Sequence, residues 1–199
     1  MEDKVLYFGY GANREPRMMQ AITKNPNLVG HSILIKGLRL CVQKLDQVPD
    51  TIPPTSPAPK SARQILKDAG WPETFESYIV KPDKDGEVFG MLWELTPLER
   101  ELVREWELVD YGWYKDMRLK IDVGKDGVFE VDENGRFPVQ TEGLREDQKV
   151  DREVNGPHES WIQPPEDFER VAEICTRDYL ERTGQKLEGT SSSGTESRS

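Results

Sequence analysis

Two stretches of the sequence carry residue types that could do chemistry. The first is Gly9-Tyr10-Gly11-Ala12-Asn13, which follows the apolar run Val5-Leu6-Tyr7-Phe8. Closely spaced glycines let backbone N–H groups approach a ligand, and a helix starting beyond them favours an anion there. The loop is not a dinucleotide fingerprint, because the third glycine would fall on Arg14. A plain strand-to-helix turn would use the same residues. The second stretch is Glu105-Trp106-Glu107-Leu108-Val109-Asp110-Tyr111-Gly112-Trp113-Tyr114. Glu107 stands where a capped helix should end. Its carboxylate there meets the negative end of the helix dipole and has Glu105 and Asp110 beside it. Both effects raise a carboxylate's pKa, which suits an acid or base working near neutral pH. Residues 94–110 also contain six acids and two bases, so a solvated acidic face is the other reading of this glutamate. His31 and His158 have no partner at ligand spacing, and no metal site is expected. Cys41 in a strand pattern and Cys175 in a helical stripe read as buried small hydrophobes rather than nucleophiles.

The elements that must position these residues follow from pattern. Val5–Phe8 is an apolar run of β-formers that stops at Gly9. A helix should follow, with Asn13 as a possible cap, Pro16 in its first turn, and Met18, Met19 and Ile22 at helical spacing. Ile33, Ile35, Leu38, Leu40 and Val42 predict a strand pair or one long bent strand, irregular at Gly37. Gln47 to Pro59 carries five prolines and reads as an extended surface loop. Ser61 to Ala69 predicts a short helix, stopped by Gly70 and Pro72. Phe75–Val80 and Val88–Leu95 read as two strands paired across Asp83-Lys84-Asp85-Gly86. Thr96-Pro97-Leu98-Glu99 is a capping-box start, and Leu95, Leu98, Leu102 and Trp106 mark the buried stripe of its helix. Strands are expected at Met117–Val123, Val128–Val131 and Phe137–Thr141, with hairpin turns at Asp126-Gly127 and Asn134-Gly135. A last helix should run from about Pro165 to Arg182, with Phe168, Val171, Cys175 and Tyr179 as its stripe and Gly184 at its end. Sequential strands with hairpin turns predict an α+β fold, a small mostly antiparallel barrel flanked by helices.

Composition bounds the function. The chain has 199 residues and a formal charge of −10, with a pI of about 4.9. That argues against partners bound through a nucleic-acid backbone or an anionic lipid surface. No apolar run approaches the ~20 residues of a membrane span, and the opening residues show no basic-then-apolar leader. With two cysteines, the expectation is a reduced, cytoplasmic protein. One domain should cover 1–187. Residues 188–199 are Gly, Ser, Thr and isolated charges, a disordered polar tail.

Taken together, the two chemical stretches carry a resemblance. Leu6-Tyr7-Phe8-Gly9-Tyr10-Gly11-Ala12-Asn13 resembles the Tyr-Gly-Ser-Asn loop of the γ-glutamylcyclotransferase family. Val88-Phe89-Gly90-Met91-Leu92-Trp93-Glu94-Leu95-Thr96, continuing through Glu107 to Tyr114, is similar to that family's central strand, helix and catalytic-glutamate segment. Pro164-Pro165-Glu166-Asp167-Phe168 resembles the start of its closing helix. The likeness spans most of residues 5–182, with a long segment between about 45 and 75. It implies a small barrel flanked by helices, with one pocket and no cofactor. The substrate would be a γ-glutamyl amide, and Tyr7, Phe8, Gly9, Tyr10, Gly11, Ala12, Asn13, Tyr114 and Phe168 would bind it. Glu107 would act as general acid/base in closing the substrate to 5-oxoproline and a free amine or amino acid, a reaction of glutathione metabolism in that family. Three residues depart from the family pattern: Ala12 stands for Ser, Leu108 for Gly and Phe168 for Tyr. The alternative is a non-catalytic small-molecule-binding or scaffold protein on the same fold. Hydrolysis of another amide, with Glu107 activating water, is a third reading. The Gln47–Pro59 segment is expected to be a surface insertion rather than part of a substrate rim.

Overall fold

The computed structural model describes residues 4–122, 136–155 and 167–187. Its strands are β1 (Val5–Gly9), β2 (Gly30–Lys44), β3 (Glu76–Leu95), β4 (Lys115–Asp122), β5 (Arg136–Gly143) and β6 (Arg152–Glu153). Its helices are α1 (Pro16–Thr23), α2 (Ala62–Asp68), α3 (Pro97–Trp106) and α4 (Phe168–Thr183). The strands form one sheet in the order β4-β5-β1-β3-β2-β6. Every pairing is antiparallel except β1 with β5, which is parallel at Tyr7 and Gln140. The result is a mixed, mostly antiparallel sheet curled into a half-barrel. The curl shows where the chain leaving β5 returns to the first half of β3, Leu144 N–H donating to the Val80 carbonyl at 2.8 Å.

Side-chain alternation on β1 divides the core. Phe8 points into the curl with Leu38, Leu40, Val80, Val88 and Val139. Tyr7 points the other way, with Trp93, under α1, α3 and α4. Thr176 Oγ1 in α4 donates to the Ile22 carbonyl at the end of α1, 2.7 Å away. A third apolar cluster joins Leu45, Val48, Ala62 and Leu66 to Leu108, Tyr111, Trp113 and Tyr114.

Several sequence expectations are corrected. The expected strand pair at 75–95 is a single strand, β3, whose two halves both pair with β2. Asp83-Lys84-Asp85-Gly86 is not a hairpin turn but a bulge opposite Gly37, where the register jumps between Lys36 and Leu38. Arg39 Nε holds Asp83 at 2.9 Å across it, and Gly86 packs so closely on the Leu38 backbone that a Cβ would clash. Local turn chemistry was therefore overridden by the ladder on either side. Asn13 does not cap α1. Glu15 occupies the N-cap, and Asn13 lies in a preceding 3-10 turn, Ala12–Arg14. The proline-rich segment is more than surface. Val48 is fully buried, Arg63 donates to the Val48 and Asp46 carbonyls, and Thr55 Oγ1 donates to the Asp110 carbonyl. The expected strand Val128–Val131, both hairpin turns, His158, Pro164 to Glu166 and the 188–199 tail lie outside the described residues.

The remaining helices form as the pattern predicts. Ser61 Oγ caps α2 by accepting from Gln64 N–H at 3.1 Å. In α3, Thr96 Oγ1 accepts from Glu99 N–H at 3.2 Å and Glu99 Oε2 accepts from Thr96 N–H at 2.7 Å, the full capping box. Gly184 ends α4 in the left-handed conformation.

Candidate active site

Glu107 is the C-cap of α3. Beyond it the chain turns through a complete Schellman closure: Leu108 N–H donates to the Glu105 carbonyl and Val109 N–H to that of Arg104. The position after the cap is left-handed, where glycine is the usual residue, yet here Leu108 has φ 51°. A leucine there costs about 1–2 kcal/mol. Burial of its side chain among Leu45, Leu66, Tyr111 and Trp113 offsets that cost. The departure from glycine at position 108 thus leaves the turn intact.

The turn delivers the Glu107 carboxylate to one end of a cavity of about 690 Å³. There it meets a set of polar side chains from four elements. Asn13 Nδ2 donates to Glu107 Oε1 at 2.6 Å and to the Tyr7 hydroxyl at 2.7 Å. That hydroxyl donates in turn to Glu142 Oε2 at 2.8 Å. Arg100 Nη1 pairs with Glu142 Oε1 at 2.7 Å, while its other nitrogens reach Asp116 and Gln140 at 3.0 Å. The guanidinium also lies 5.0 Å above the Tyr7 ring. The Asn13 backbone is fixed too, its carbonyl accepting from Trp93 Nε1 at 2.8 Å. Asn13 Oδ1 is buried with no hydrogen-bond partner among the described residues.

The two carboxylates differ in their partners. Glu142, 1% exposed, lies against the Arg100 guanidinium and accepts from the Tyr7 hydroxyl. Glu107 is pushed up to about 8, first by burial and then by the Glu142 carboxylate. The Asn13 hydrogen bond and the Arg100 charge oppose the rise. The direction matches the sequence argument, but the neighbour differs. Glu105 is engaged by Arg182 Nη2 and the Tyr111 hydroxyl, each at 2.8 Å, and Asp110 by Arg104. Burial also raises the hydroxyls of Tyr7, Tyr10 and Tyr114 well above their ordinary value, so all three stay neutral.

Of the residues singled out in the sequence, Tyr7, Tyr10, Gly11, Ala12, Asn13, Glu107, Tyr114 and Phe168 line this one cavity. Phe8 and Gly9 do not. Phe8 turns into the interior of the curl, and Gly9 lies so close under the Asn13 backbone that no side chain fits. The Tyr114 hydroxyl is already bound, donating to the Tyr78 carbonyl at 2.9 Å with Ser77 beside it. Cys175 lines the wall, its thiol pushed up to about 12 by burial. The sequence reading missed Glu142, Arg100 and the wall formed by residues from Ala58 to Phe75. Glu142 has no local signal: it ends a strand and faces Tyr7 from 135 positions away. Among the described residues no group of side chains could hold a metal ion, and no helix is long and apolar enough to cross a membrane.

The fold is that of known proteins. A solved structure of a γ-glutamyl cyclotransferase superposes with a TM-score of 0.51 at 12% identity, covering 86% of this chain and 99% of that one. A solved structure of an uncharacterized protein from Homo sapiens matches to the same extent, with the same TM-score, identity and coverage. No protein-family model and no curated protein matches the sequence.

Proposed function

We propose that the chain is a γ-glutamyl cyclotransferase, with Glu107 as its general acid and base. The observation that carries this reading is a part-buried carboxyl with no cation bonded to it among the described residues, raised to about 8, at the polar end of a cavity large enough for an amide substrate. The substrate's α-ammonium, beside its own free α-carboxylate, is a weaker acid than a peptide's N-terminal ammonium at about 7.7–8.0. The rise of Glu107 narrows the gap between the carboxylate and the proton it would have to take.

In this reading the γ-glutamyl end lies against Tyr10 to Asn13, which line the cavity, with the backbone N–H groups of Gly11 to Asn13 offered to a carboxylate or an oxyanion. Ionised Glu107 takes one proton from the α-ammonium. The freed amine attacks the γ-carbonyl carbon, and the carbonyl electrons move to oxygen. As the tetrahedral centre collapses, the C–N bond to the leaving amine breaks. Protonated Glu107 returns its proton to that nitrogen, then takes the surplus proton from the ring nitrogen and passes it to the released amine. The products are 5-oxoproline and a protonated amine, and the carboxylate ends ionised as it began. Because nucleophile and electrophile belong to one molecule, holding the glutamyl chain folded supplies much of the rate. The Tyr7 and Asn13 hydrogen bonds act as positioning contacts for Glu107.

The test is 5-oxoproline release from a panel of γ-glutamyl amides, followed by mass spectrometry. Glu107→Gln should lower kcat/KM by about 10²–10⁴-fold with an unchanged circular dichroism spectrum. The wild-type pH profile should be a bell whose acid limb lies near pH 8. Its acid limb is protonation of Glu107, and its basic limb is loss of the substrate's ammonium proton. A panel that binds but yields no 5-oxoproline would leave the non-catalytic binding alternative. Glutamate in place of 5-oxoproline would indicate hydrolysis.

A further inference from the structure

The cavity is far larger than a glutamyl group needs. At about 690 Å³ it falls among pockets that enclose whole drug-sized ligands, ~300–1,000 Å³. What fills the rest is written in its wall. Six aromatic side chains that line it touch in an unbroken arc. Tyr114 and Trp113 lie 4.6 Å apart between ring centres, and Trp113 and Phe75 6.1 Å. Phe75 and Trp71 follow at 4.3 Å, Trp71 and Phe168 at 5.1 Å, and Phe168 and Trp106 at 4.8 Å. The arc and Glu107 line the same cavity, and its outer members, Trp106 and Tyr114, belong to the segment that carries Glu107. Any amine leaving from Glu107 therefore leaves into this ring of aromatic surface. Phe168, where the resembled family often has tyrosine, adds to it without a hydroxyl.

Charge narrows the occupant further. Among the described residues the ionisable groups lining the cavity, tyrosines and Cys175 aside, are Glu76, Glu105, Glu107, Glu142, Asp178 and Arg182. The one cation, Arg182, is already bonded to Glu105 at 2.8 Å. The acids Glu76, Glu142 and Asp178 are likewise held, by Arg152, Arg100 and Arg177, so a substituent bearing its own carboxylate would meet the Glu107 carboxyl and no uncommitted cation. An uncharged aromatic group meets only surface that suits it.

We infer that the chamber takes an aromatic, carboxylate-free substituent, so that the substrate is the γ-glutamyl amide of an arylalkylamine rather than of an amino acid. The γ-glutamyl half of this statement rests on the ring-closure reading above; the arylalkyl half rests on the chamber itself. The experiment compares three compounds on the full chain: L-γ-glutamyl-phenethylamide, L-γ-glutamyl-L-phenylalanine, which adds a carboxylate, and L-γ-glutamyl-ethylamide, which removes the ring. Both 5-oxoproline release and calorimetric binding are measured. The phenethylamide should lead each of the others by about tenfold or more in kcat/KM. Trp71→Ala should narrow its lead over the ethylamide several-fold, and the wild-type comparison stands on its own if that variant does not fold. The inference is overturned if the phenylalanine conjugate is used as well or better, which would mean Arg182 leaves Glu105 to take a carboxylate. It is equally overturned if the ethylamide matches the phenethylamide. If none of the three yields 5-oxoproline but the phenethylamide still binds about tenfold tighter, ring closure fails while the chamber's preference is upheld. Absence of both turnover and binding preference overturns both.

Discussion

At one end of the cavity Tyr7, Asn13, Arg100, Glu107 and Glu142 bind one another through four side-chain contacts of 2.6–2.8 Å. At the other, Trp71, Phe75, Trp106 and Phe168 meet edge to face, at interplanar angles of 67–84°. The two ends respond differently to change. In the polar cluster each group satisfies another in a water-poor setting, so one loss strands a buried charge. An aromatic contact contributes about 0.5–1.5 kcal/mol beyond its buried area and tolerates small shifts. The origins differ as well. The polar cluster draws on β1, the turn after it, α3 and β5, whereas two of the four rings come from the long segment between residues 45 and 75. In the proposed function, chemistry and selectivity lie in separately supported parts of one cavity.

Breaking the polar end should have the largest effect. Arg100→Met removes the cation over the Tyr7 ring and leaves the buried Glu142 without its ion-pair partner. The expected loss is about 3–5 kcal/mol of stability, read from the urea midpoint. A loss below about 1 kcal/mol would mean that the cluster is no more demanding than the aromatic wall.

A subtler change tests the electrostatics of the same cluster. Glu142→Gln removes the like charge that raises Glu107 and leaves the Arg100 charge less neutralised. Both changes favour ionised Glu107, so the acid limb of the kcat/KM profile should move to lower pH. An unmoved limb near pH 8 would show that burial alone sets it.

The smallest effect concerns the scaffold the two ends share. Thr96→Ala deletes half of the capping box that starts α3, the helix carrying Glu107 at its far end. It should cost about 1 kcal/mol in thermal unfolding and leave the preference among amides unchanged, since no ring moves.

How much of this was legible in the sequence depended on whether the signal was local. Thr96 and Glu99 announce α3, and Glu107 follows from where that helix must stop. Tyr7 and Asn13 are legible through the loop motif, although Asn13 was assigned a capping role because its distant partner could not be seen. Arg100 sits between Glu99 and Glu101, a pattern identical to a solvated helix face. Its burial is decided by Gln140, Glu142 and Asp116 arriving from other strands. Asp83 to Gly86 has good turn chemistry, yet the pairing of β2 on both sides keeps β3 whole. The Gln47–Pro59 segment looked superficial because prolines form no regular element. Its attachment comes from residues outside it, such as Arg63, which donates to the Val48 carbonyl, and Gly112, whose backbone lies against Pro53.

The double donation by Asn13 bears on where protons can travel. A carboxamide does not pass a proton from one side to the other under ordinary conditions. It therefore insulates Glu107 from the tyrosine and carboxylate behind it, although all of them lie within one chain of hydrogen bonds. A proton on Glu107 is cut off from Tyr7 and Glu142 and opens toward the cavity face. In the proposed reaction that proton comes from the substrate, and the groups behind Asn13 do not compete for it.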